Sequence, residues 1–165
     1  MNSLEPPDSH YLRAAEGWLD LGNCKEANEE LKQIGLQERF HPQVMLVRWE
    51  IYSRIEHWEF AHAIAQGLVA LAPEEPCGWI KRSICLHKMK RTPEAFHILL
   101  PAASKFPCNS TIAYDLACYA CQLGRIEEAR HWLDQALKSG DADKINLMAK
   151  AAADLKPLWE KTGKV

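Results

Sequence analysis

Six cysteines are the side chains best able to do chemistry in this 165-residue chain, and two, Cys118 and Cys121, stand in a C-x-x-C spacing. That spacing serves thiol redox enzymes and zinc sites. A redox pair needs its first cysteine at a helix N-terminus after a strand, where the helix dipole lowers the thiol pKa. Here the run TIAYDLA precedes the pair, which sets both cysteines well inside an expected helix with no strand ahead. Structural zinc needs four ligands, usually as two close pairs. Cys24, Cys77, Cys85 and Cys108 form no second pair, so a set with His87 would stop at three ligands. Cys118 and Cys121 are therefore expected to be small, weakly polar groups on a helix. Metal- or thiol-dependent chemistry at the pair is the alternative.

Nothing else in the chain forms a catalytic pattern. His10, His41 and His57 fall near turns, while His97 and His131 are expected to be ordinary surface or satisfied packing residues. No Ser/His/Asp arrangement, glycine-rich phosphate loop or carboxylate pair with a recognisable context is present. The sequence is read as a non-enzyme without a cofactor or a metal.

Charge and hydropathy narrow the partners. Charged residues are 25% of the chain and the formal net charge is −2, which argues against binding to nucleic acid or an anionic membrane. The basic run KMKR, Lys88 to Arg91, reads as a solvated inter-helix turn. The longest apolar run, AHAIAQGLVALA, is interrupted by His62, Gln66 and Gly67 and is too short to span a membrane. The opening MNSLEPPDSH lacks the parts of a signal peptide and is expected to be a short frayed leader. With reduced cysteines, these features point to a cytoplasmic protein.

The elements that must position these residues follow a register. Ala27, Ala61, Ala95 and Ala129 recur at an interval of 34 residues. Pro73 and Pro107 keep that interval, and three apolar columns move with it: Leu21/Ile55/Met89/Leu123, Leu31/Ala65/Leu99/Leu133 and Ile34/Leu68/Ala102/Ala136. A repeated period is the signature of a repeat architecture. Spacings of three and four within each unit predict amphipathic helices. Gly22-Asn23 and Gly124-Arg125 provide helix ends, and Thr92-Pro93-Glu94 predicts an N-cap, a first-turn proline and an early acid. Prolines 42, 76 and 107 mark boundaries. The alanine column lets paired helices approach closely, where larger side chains would overpack.

This pattern resembles the tetratricopeptide repeat (TPR). The four alanines match the family's small residue early in the second helix, Leu21-Gly22 and Leu123-Gly124 its Leu-Gly, Pro73 and Pro107 its closing proline, and Tyr11 and Trp79 its early aromatic. The resemblance implies an all-α, right-handed α-solenoid in a single domain, with repeats 8–41, 42–75, 76–109 and 110–143. The run YDLACYACQLGRIEEARHWLDQAL with the tail also resembles the terminal repeat of bacterial TPR proteins. A capping helix and tail are expected over about 142–161, with Ile145, Met148, Ala149 and Ala152 as its stripe, Pro157 as its end, and Leu158 and Trp159 folded back. Trp49 stands where the family prefers glycine or alanine, and Arg39 and Asp141 where the closing proline is expected, so the second repeat should pack irregularly around Trp49.

In this family the first helices line a concave groove that binds a peptide or helix. Carried over position by position, the groove rows are Leu12/Leu46/Ile80/Tyr114, Glu16/Glu50/Ile84/Cys118, Leu19/Ser53/His87/Cys121 and Asp20/Arg54/Lys88/Gln122. The first row is apolar throughout. The lysine and asparagine of the clamp for chaperone C-termini are missing: Leu12, Glu16 and Val47 stand at its positions. The resemblance implies a scaffold or adaptor whose partner carries apolar anchors. A dedicated chaperone for a secreted or translocated substrate is the second reading, and the leader or a second copy of the chain, as a homodimer, are rival occupants of the first row.

Overall fold

The computed structural model describes residues 4–160, and among these the chain is all-helical. Eight helices form four consecutive pairs: α1 (Asp8–Asp20) with α2 (Cys24–Gln33), α3 (Pro42–Arg54) with α4 (Trp58–Leu71), α5 (Pro76–Lys88) with α6 (Thr92–Lys105), and α7 (Ser110–Gln122) with α8 (Ile126–Ser139). Each pair begins 34 residues after its predecessor. The pairs fall into two compact units, one ending at Pro73 and the next beginning at Glu74. No described helix is long and apolar enough to cross a membrane.

Four Schellman turns separate the paired helices. Gly22, Glu56, Lys90 and Gly124 all have positive φ, so the left-handed residue recurs in the same register. In each turn the next amide closes the six-residue ring: Asn23 N–H to Trp18 C=O, His57 to Tyr52, Arg91 to Leu86 and Arg125 to Ala120, at 2.8–2.9 Å. Other ends are closed by side chains. Asn23, Asn109 and Asp141 accept the amides of Glu26, Ile112 and Lys144. Arg39 donates to the carbonyls of Ile34 and Lys32 at the end of α2, which replaces a proline stop with a cation at a helix C-terminus. Thr92 is not the N-cap expected of it: α6 has no side-chain cap, and the threonine hydroxyl is bonded to His87 instead.

Within the first unit, Leu12, Ala15, Leu19, Ala27, Leu31, Ile34, Val44, Val47 and Ile51 share one core with Leu4. Leu4 corrects the reading of a frayed leader: its side chain is buried. Trp49 is buried and leaves the 34-residue register of α3 and α4 intact. Close approach falls on Gly67 instead, where a Cβ would stand 2.7 Å from Met45 Cε.

Within the second unit the core runs from Leu86 and the α6 face Ala95/Leu99/Ala102 through α7 to Ala129, Leu133 and Ala136 of α8. The expected capping helix is divided. α9 (Ala142–Ala151) buries Ile145 and Ala149 but leaves Met148 exposed. A 3₁₀ turn (Ala153–Leu155) and a short helix, α10 (Lys156–Glu160), follow. Pro157 therefore sits near the start of a helix rather than at the end of one, and the break comes at Ala152, whose backbone is extended. Leu155 and Leu158 join the core, while Trp159 stays 42% exposed.

Candidate functional site

The amphipathic pattern of α7 sets Tyr114, Cys118, Cys121 and Gln122 along one side, with Asn109 capping the helix so that this register starts cleanly. The structure does not leave that side open as expected. The 3₁₀ turn at Ala153–Leu155 packs on α7, and Cys118 and Cys121 are 7% and 2% exposed. Both side chains are buried in the core of the second unit. Burial pushes the Cys118 thiol far above its ordinary pKa, opposite to the shift that a reactive thiol requires.

Asp154 is the centre of the polar contacts here. Its Oδ2 lies 3.3 Å from His87 Nε2, and its backbone carbonyl accepts a 2.9 Å bond from Gln122 Nε2. His87 is held on its other side by Thr92 Oγ1 at 3.0 Å, and its ring lies 4.9 Å from that of Tyr119. Tyr119 in turn shares a 3.2 Å hydrogen bond with the buried Ser83 hydroxyl. Burial raises the pKa of Tyr119, and burial together with neighbouring Cys118 raises that of Tyr114 to about 12. Both phenols stay neutral hydrogen-bonding groups. Ile80 and Ile84 on α5 are half-buried and Lys88 is exposed. A cleft of about 280 Å³ opens beside Tyr114, between the start of α7 and Ile145 and Met148 of α9.

In the first unit the sequence-derived positions separate. Leu12 and Leu19 are buried in the core that also takes Leu4. Leu46 is half-buried and Glu16 exposed. Glu50 and Arg54 pair at 2.9 Å, and Arg54 also donates to the Leu19 carbonyl at the end of α1. Arg54 is thus a helix-end and ion-pair residue rather than a free basic group.

Sequence reasoning reached His87, Tyr114, Cys118, Cys121 and Gln122, which the structure brings around one segment. It missed that segment. Asp154 had no signal beyond a polar place between apolar residues, and the Ser83–Tyr119 bond had none, because neither residue belongs to a groove row.

No family model matches the chain, and no curated protein matches its sequence. Solved structures do match. A thermophilic TPR protein of Thermus thermophilus is similar with a TM-score of 0.75 at 17% identity, over 94% of this chain and 83% of that one. MamA of Desulfovibrio magneticus is similar with a TM-score of 0.72 at 16% identity, over 96% and 92%. YrrB, described as a TPR protein with an unusual peptide-binding site, is similar with a TM-score of 0.70 at 17% identity, over 88% and 75%. At these identities the likeness is one of fold.

Proposed function

From the premise that this chain has the tetratricopeptide-repeat fold, we propose that it is a non-enzymatic, cytoplasmic protein-interaction module, an adaptor or scaffold that holds a partner segment on the first helices of its pairs. One observation carries this reading. The side of α7 named by the repeat register accommodates a short non-repeat segment, with leucines in the core and with polar bonds to that segment's carboxylate and backbone. That is the chemistry of peptide recognition: apolar anchors supply area and side-chain donors fix the register of the backbone. YrrB, of the same fold, is described by its peptide-binding site. No disulfide joins the cysteines among the described residues, which suits a reducing compartment.

The partner is a protein or peptide with apolar anchors, for which each unit offers a half-buried candidate, Leu46 in the first and Ile80 in the second. The test is the pair Leu46→Asp and Ile80→Asp in the full-length chain. Affinity purification followed by cross-linking should recover a partner with the wild type that the double variant loses, at unchanged helical circular dichroism. Unchanged partner binding by a folded double variant would overturn the reading.

A further inference from the structure

The segment Ala153–Leu158 is the part of the second unit that the repeat register leaves unexplained. The last helix pair already has a cover, because α9 packs on α8 through buried Ile145 and Ala149. The tail adds to that cover, since α10 with Leu158 packs on α8, and it also does something else. It crosses to α7 and puts Asp154 between His87 and Gln122, two residues of the rows named by the repeat register. Leu155 and Leu158 follow it into the core at the next and fourth positions, and Arg130 takes the Leu158 carbonyl at 3.3 Å.

We propose that this tail is a built-in competitor for the partner site on α7, and that the partner presents the same chemistry, an aspartate followed by leucines one and four residues later. The inference rests on the interaction-module reading and adds the recognition motif. Asp154 accounts for one acceptor at His87 and one at Gln122, and the leucine spacing of three brings both anchors to one side of a helical turn. The polar part of the hold sits at the surface, with the Asp154 side chain 42% exposed, and the backbone bonds of the 3₁₀ turn include Leu155 N–H to Ala152 C=O at 3.2 Å and Lys156 N–H to Ala153 C=O. A tethered competitor lowers a partner's apparent affinity in proportion to the fraction of molecules in which it is closed.

The probe is a labelled peptide AAADLKPLWE, the sequence of residues 151–160, titrated into the full-length chain and followed by fluorescence anisotropy. Asp154→Ala in the protein should bind it about tenfold more tightly than the wild type does, because the variant's own tail competes less. The peptide with its aspartate replaced by alanine should bind at least about fivefold more weakly, from loss of the charge-assisted contacts. Hydrogen exchange should show the amides of 153–158 losing protection when peptide is in excess. Equal affinity of wild type and Asp154→Ala, or an alanine peptide as good as the parent, sinks the proposal. A partner that depends on Leu46 and Ile80 yet binds Asp154→Ala no better than the wild type also overturns the competitor, and leaves the module reading standing.

Discussion

Asp115 and Cys118 lie one helical turn apart on α7, and burial acts on both in the same direction. Asp115 Oδ2 is sealed from solvent and has no hydrogen-bond partner among the described residues. Desolvation pushes its pKa up to about 7. The folded chain therefore retains a proton that the unfolded chain releases between about pH 4 and pH 7, so stability falls as pH rises through that window and is level above it. Asp115→Asn removes the charge while keeping the shape. It should raise stability at pH 8 by about 1–3 kcal/mol and flatten the fall between pH 4 and 7, as read by urea unfolding across pH. A variant with the wild-type pH profile would assign the slope to other groups.

At the scale of elements, the inter-helix turns are one structure made from unequal residues. Gly22 and Gly124 adopt the left-handed conformation without a steric penalty, whereas Glu56 and Lys90 adopt it with a Cβ. Lys90→Gly and Glu56→Gly should each stabilise the chain by about 0.5–1 kcal/mol, and Gly124→Ala should destabilise it by about 1 kcal/mol, measured as shifts in the denaturation midpoint. The two glycine turns could be read directly from sequence. The two others could be placed only by register, since glutamate and lysine carry no turn signal of their own. Arg39 and Asp141 teach the same lesson. Both depart from the repeat pattern, and both close helix ends by a different chemistry.

At the scale of the whole molecule, the two compact units divide the core between them, and the tail belongs to the second. Leu155 is fully buried there. Leu155→Ala should cost about 2–4 kcal/mol, the range for a core leucine truncated to alanine. In a repeat architecture each pair is stabilised chiefly by its neighbours. The loss should therefore appear in hydrogen exchange as reduced protection of α7 and α8 while α1 and α2 keep theirs. A uniform loss along the chain would show the two units to be one cooperative block.

The sequence by itself determined the helical class and the 34-residue register of the first eight helices, because local periodicity and turn chemistry are properties of contiguous residues. It also named the side of α7 that carries Tyr114, Cys118 and Cys121. Only the tertiary structure decided whether that side is open. Leu4 in the core of the first unit and Leu155 beside α7 are placed there by segments that follow no repeat pattern. What covers a surface depends on which non-periodic segment returns to it and on the apolar area that return removes from water. Periodicity carries no record of either. The cysteine pair became core for that reason: the spacing placed it on a helix face, and the returning tail buried it.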